Sequence, residues 1–159
     1  MRKFLLIIFL LWPAPTGPFL GVAEAAQAKS VKVIEGPIFA QVVRVRDGDS
    51  IDVIAHVWPG TQMRVSVRLA GIDAPELRAR CEAEKRLAVA ARDRLSDLVR
   101  SGPVHLKQVR GGKYFGRILA RVSAGGTDVQ KIMLNENLAR PYGGRQRKGW
   151  CNGDELARG

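Results

Sequence analysis

Between Arg64 and Leu69, Arg64, Ser66 and Arg68 alternate with Val65, Val67 and Leu69, the cleanest two-residue period in the chain. Side chains that point to opposite faces at successive positions are the mark of a half-buried strand. A looser version sets Ile51, Val53 and Ala55 against Asp52, Ile54 and His56, and Phe39 to Val45 is an apolar run rich in β-branched residues. Asp47-Gly48 and Trp58-Pro59-Gly60-Thr61 are turn sequences between these runs, so three strands are predicted to form an antiparallel meander. The period then changes. Leu87, Ala91, Leu95 and Leu98 recur at helical spacing between Glu82 and Arg100, and Gly102-Pro103 ends that helix. Val104, Leu106 and Val109 predict a fourth strand, Gly111-Gly112 a turn, and Ile118 to Val122 a fifth strand closed by Gly125-Gly126. Thr127-Asp128-Val129-Gln130 reads as a capping box, with Thr127 at the N-cap and Gln130 at N3 of a short helix that turns Val129, Ile132 and Met133 inward. Residues 29–37 show little pattern, and the tail from Gly143 is glycine-rich and basic, with Arg145, Arg147 and Lys148. The order of elements predicts an α+β domain built on a five-stranded OB-fold barrel with two to three helices, without repeats or a second domain.

The amino terminus does not fit that domain. Arg2 and Lys3 precede nine apolar residues, Phe4 to Trp12, and Pro13, Pro15 and Pro18 stop the run before it could span a bilayer. Ala23-Glu24-Ala25 and Ala26-Gln27-Ala28 offer small-residue cleavage sites. Residues 1–28 therefore read as a signal peptide cleaved after Ala28, leaving a domain of residues 29–159 in the periplasm or outside the cell. Export alters the meaning of Cys81 and Cys151, the only two cysteines. An oxidising compartment would let them pair, and a closed loop of about 70 residues stabilises a fold by roughly 4 kcal/mol on the loop-entropy argument.

Charge narrows the function. Lys and Arg total 26 against 15 Asp and Glu, a net charge of +11, while 46% of residues are hydrophobic. That is a folded, strongly basic chain, and its charge favours a polyanionic partner. The carboxylates are then informative where they gather. Asp49 and Asp73 lie equally far from Thr61, inside the second turn, and residues equidistant from a hairpin turn face each other. Two adjoining carboxylates repel, and a hard cation such as Ca²⁺ or Mg²⁺ would remove that cost, with flexible geometry and carbonyl help favouring Ca²⁺. Asp47 stands close by. Glu76, three residues past Asp73, could act as general base on water. Arg68 and Arg117 offer planar forks to phosphate oxygens and stay charged at any working pH. Taken singly, each segment is an ordinary turn or strand; together they suggest hydrolysis of a phosphodiester.

Arg46-Asp47-Gly48-Asp49-Ser50, Val67-Arg68-Leu69-Ala70-Gly71-Ile72-Asp73-Ala74-Pro75-Glu76 and Phe115-Gly116-Arg117-Ile118-Leu119-Ala120 resemble the staphylococcal-nuclease-like (thermonuclease) family over about residues 38–142. The resemblance implies an OB barrel with helices and a Ca²⁺-dependent endonuclease on DNA and RNA that leaves 3′-phosphate ends. It implies Asp49, Asp73 and the main-chain carbonyl of Ala74 as calcium ligands, Glu76 as base, and Arg68 and Arg117 on phosphate. Lys113, Tyr114, Phe115 and Tyr142 are the expected substrate contacts; Phe115 stands where the family has tyrosine, which removes a hydroxyl but keeps a face for base stacking. Ser50 stands where threonine is frequent. A monomer acting preferentially on single strands is expected. The competing reading is a catalytically inactive OB-type nucleic-acid-binding module, which has no use for paired carboxylates facing a polyanion. A protein binding anionic lipid through charge explains none of the carboxylates.

Overall fold

The computed structural model describes residues 32–112 and 116–151. The expected signal peptide and cleavage site, and Lys113, Tyr114 and Phe115, lie outside the described residues. In chain order the elements are β1 (Val33–Ile34), β2 (Ile38–Asp47), β3 (Ser50–Trp58), β4 (Thr61–Leu69), β5 (Ile72–Asp73), α1 (Glu82–Val99), β6 (Val104–Gly111), β7 (Arg117–Ala124), β8 (Thr127–Asp128), α2 (Val129–Asn135) and β9 (Arg140–Pro141).

The predicted meander is β2, β3 and β4, each antiparallel to the next. Strand β4 pairs in parallel with β7, β7 pairs antiparallel with β6, and β6 returns antiparallel to β2. Five strands thus close on themselves as an OB-type barrel, which removes the free edges of its sheet. Inside lie Ile51, Val53, Val67, Leu69, Val104, Leu106, Ala120 and Val122, all 1% exposed or less. The segment before the barrel, patternless in sequence, contributes β1 to the edge of β6.

Strand β6 shows why its inward residues skip from 106 to 109. The register against β7 shifts between Lys107 and Arg110, and Gln108 takes a left-handed φ of 50°. One extra residue at that bulge turns Val109 to the core.

The buried face of α1 is Glu84, Ala88, Ala91, Leu95 and Val99, one residue around from the predicted stripe, with Leu87 and Leu98 on its flanks. The small alanines permit close approach. A Cβ on Gly48 would stand 2.6 Å from Cβ of Ala91 and 2.8 Å from Cβ of Ala74. Glycine at 48 is therefore required by the close approach of Ala91 and Ala74 to the turn.

The capping box is a correction. The N-cap of α2 is Asp128, whose carboxylate accepts from the Lys131 N–H at 3.0 Å. Gln130 is 2% exposed. Its Oε1 accepts from the Val122 N–H (3.0 Å), and its Nε2 donates to the carbonyls of Ala120 (3.1 Å) and Ala70 (3.5 Å). Buried main-chain groups need partners, and Gln130 serves them in place of the helix end. Two helices are present among the described residues, the lower end of the expected number. None of the helices there is long and apolar enough to cross a membrane.

The expected disulfide organises the tail. Cys81, at the N-cap of α1, is bonded to Cys151, so the basic segment is folded back. Trp150 is 4% exposed and lies under the guanidinium of Arg140, with the Arg140 Cζ 3.8 Å from its ring centre. Arg140 Nη1 also donates to the Gly149 carbonyl at 3.1 Å. Cys81, Glu84 and Cys151 gather potential metal-ligand atoms, but both sulfurs are spent in the disulfide.

Candidate active site

Asp49 sits in the tight turn between β2 and β3, and Asp73 ends the short strand β5. They do meet, by a route other than the one their spacing suggests. The β3–β4 ladder runs Ser50 to Arg68 and Trp58 to Thr61. Its turn is therefore centred near Pro59 and Gly60, two residues earlier than the spacing argument assumed. In that register Asp49 faces the end of β4: its carbonyl accepts from the Leu69 N–H at 2.8 Å. The chain then reverses at Gly71, with φ of 84°, a conformation that favours glycine. Strand β5 follows, pairing Asp73 with Arg140 of β9. A turn and a separate two-stranded sheet, not an unbroken hairpin, deliver the second carboxylate.

Arg68 joins the two. Its Nη1 donates to Asp49 Oδ1 at 2.7 Å and its Nη2 to Asp73 Oδ1 at 3.0 Å. Asp49 Oδ1 also accepts from Ser50 Oγ (2.9 Å), and Oδ2 accepts from the Ala74 N–H (3.0 Å). Both carboxylates are buried, at 2% and 6% exposure. Burial pushes the Asp49 carboxyl up to about 7, against the pull of Arg68 and with the charge of Asp47 adding to the rise. The donors that could hold a metal here are the oxygens of the two carboxylates. Such a set suits a hard cation, and an anion made reluctant by burial is one that a cation would restore.

Glu76 and Arg117 share a cavity of about 610 Å³ with Asp47, Ser50, Arg68, Tyr142, Arg145 and Arg147. Arg117 starts β7, directly beside Ser66 of β4, so the two arginines expected on phosphate stand on neighbouring parallel strands. Tyr142 closes one side. Its N–H donates to the Gly71 carbonyl (2.9 Å), its hydroxyl donates to the Arg145 carbonyl (2.6 Å), and its ring centre lies 6.0 Å from Arg68 Cζ. Among the expected substrate contacts, Tyr142 alone falls in the described residues.

Two participants were missed in the sequence. Glu84, 7% exposed in the first turn of α1, accepts from the main-chain N–H of Glu76 (3.5 Å) and of Arg80 (3.1 Å). It shapes the loop that carries Glu76. An acidic residue in a first helical turn reads as a partner for the helix dipole, so nothing in the pattern marked it. The other is Arg147. Its Nε lies 2.9 Å from Asp73 Oδ1, and its Nη1 donates to Glu76 Oε1. In sequence it was one of several cations in a basic tail; the folding back of that tail brings it here.

Comparison with known proteins matches this chain to the family model described as staphylococcal nuclease homologue over residues 66–155. A protein named micrococcal nuclease from Shigella flexneri is 33% identical over 136 residues, 77% of this chain and 71% of that protein. The chain belongs to the staphylococcal nuclease family. Endonuclease YncB of Bacillus subtilis (strain 168) is 34% identical over 99 residues, 61% of this chain and 44% of its own length. Protein ParB of Escherichia coli is 43% identical over 71 residues, 42% and 37% of the two chains. The closed barrel is in keeping with membership of that family, and its carboxylates and arginines collect at one end of β3, β4 and β7.

Proposed function

We propose that the protein is an exported, Ca²⁺-dependent endonuclease that hydrolyses DNA and RNA to 3′-phosphate ends. Family membership and the nuclease names of its relatives support phosphodiester hydrolysis. The observation that carries the mechanism is the sharing of one guanidinium, that of Arg68, by two buried carboxylates beside an arginine-lined cavity.

On this reading Asp49, Asp73 and the Ala74 carbonyl would hold the ion, which would supply positive charge to offset the negative charge of the phosphate. Glu76 accepts the proton of the attacking water at its carboxylate. Arg68 and Arg117 hold the non-bridging oxygens, where negative charge builds as the bond to the departing 5′-oxygen lengthens. Glu76 is paired with Arg147 in this structure, so its use as a base requires that pair to open. Tyr142 presents a ring for a base, and Lys113, Tyr114 and Phe115 complete the substrate side. The disulfide is in keeping with an extracytoplasmic protein, and the domain is taken to start at residue 29 and to act as a monomer on single strands.

Digestion of single-stranded DNA by the mature chain, with Ca²⁺, with Mg²⁺ and in chelator, tests this. Cleavage with Ca²⁺ and none in chelator is the expected result. Full cleavage in chelator would remove the metal from the mechanism, and binding without cleavage under any ion would make the protein a nucleic-acid-binding module instead.

A further inference from the structure

The four carboxylates at or beneath the cavity, Asp47, Asp49, Asp73 and Glu76, are matched by four arginines: Arg68, Arg117, Arg145 and Arg147. Only two of these arginines come from the barrel. Without the other two, a divalent ion would bring the site no further than neutrality, and a neutral cleft does not gather a polyanion. With them the occupied site carries a surplus of positive charge.

We infer that the disulfide-fastened tail supplies a second pair of substrate-binding arginines, with Arg147 as the principal one, contacting a phosphate of the polynucleotide next to the scissile bond. This rests on the nuclease reading for what the substrate is. The tail is built to hold a position. It leaves β9 at Pro141, is tied by the Tyr142 hydroxyl to the Arg145 carbonyl, and is fixed at its far end by Trp150 against Arg140 and by the Cys81–Cys151 bond. Arg147 lies between these anchors. Its side chain is 39% exposed, so it faces the cavity while it neutralises Asp73 and Glu76. A cation arriving at Asp73 takes over that neutralisation, and the planar fork of Arg147 is released toward phosphate oxygens, the partner it fits best. The disulfide therefore positions substrate-binding groups as well as stabilising the fold.

The test is binding of a fluorescent single-stranded phosphorothioate oligothymidylate, which resists cleavage, to the mature chain in Ca²⁺ across a salt series, with cleavage kinetics of the unmodified strand measured in parallel. Arg147→Gln should bind about tenfold more weakly, with the slope of log affinity against log salt lowered by about 0.7, the share of one phosphate contact on a single strand. In Ca²⁺ its KM should rise more than its kcat falls. Arg147→Lys should restore the salt slope and only part of the affinity. The Cys81→Ser/Cys151→Ser double variant should lose at least as much affinity as Arg147→Gln, and adding Arg147→Gln to it should cost little more, because the displaced tail has already taken Arg147 from the cavity. Thermal melting of each variant separates lost folding from lost contact. Wild-type affinity and slope in a folded Arg147→Gln would overturn the inference and leave the nuclease reading standing. Tighter binding or faster turnover would overturn it too, by making Arg147 a latch on the site. Arg147-dependent binding by a chain that never cleaves would instead bring down the nuclease reading and spare the inference.

Discussion

At the scale of single residues, the site is a balance of charges held away from water. Arg68 is the hinge of that balance. Replacing it with Ala would leave Asp49 and Asp73 buried together with one fewer cation, and breaking such a pair costs about 3–5 kcal/mol. Chemical denaturation should show that loss, and Arg68→Lys should recover only part, since an ammonium cannot reach both carboxylates as a fork. Asp49 gives a pH signature. Burial raises its carboxyl from 3.8 to about 7, so between those values the folded protein holds a proton that the unfolded chain has released. Its contribution is fully favourable below about 4 and is lost as pH rises through about 7. In chelator, the melting temperature should fall across that window, and Asp49→Asn should flatten the fall. A wild-type curve no steeper than that of the Asn variant would show that burial leaves Asp49 an ordinary acid. What could be read in the sequence at this scale was which residue types carried the chemistry. Their partners in the fold could not be read: Glu84 and Arg147 look like common surface residues, and Gln130 like a helix cap, until a loop, the main-chain groups of Val122, Ala120 and Ala70 and a folded-back tail give them work.

The elements tell a similar story. All five barrel strands and both helices were legible, because period-two and period-3.6 patterns follow directly from burying one face. The details that position the site were not. The β6 bulge, the rotation of α1 and the turn at Gly71 depend on what packs against them, and a pattern along one segment holds no information about its neighbour. Gly48 illustrates the point. As part of Asp-Gly it signalled a turn, yet the space it leaves is taken up by Ala91 of α1 and Ala74. Gly48→Ala should therefore push the helix from the turn and cost about 1–3 kcal/mol, read as a lower denaturation midpoint. Activity should suffer as well, since Asp49 is the next residue and Ala74 adjoins Asp73. A variant with wild-type stability would mean that α1 can shift without cost.

Across the whole molecule, closure operates twice. Hydrogen bonds close the barrel through the β6–β7 and β6–β2 pairings, and a covalent bond closes the tail over residues 81 to 151. Reduction should lower the melting temperature, with up to roughly 4 kcal/mol at stake from loop entropy; an unchanged melting curve in reductant would mean that non-covalent packing of Trp150 suffices. The possibility of the cross-link was legible from two cysteines and the export expected of the amino-terminal sequence. Its consequence for the cleft was not, because it depends on where the residues just before Cys151 come to rest.

That late cross-link also sets an order of events in the life of the chain. Every cell that synthesises a nuclease holds the polymer it destroys. Here the last part of the cleft to be installed awaits an oxidant, which the cytoplasm withholds from thiols. On the proposed reading of an exported nuclease, a newly made chain would grip nucleic acid less firmly before oxidation than after it, a margin of safety for the producer.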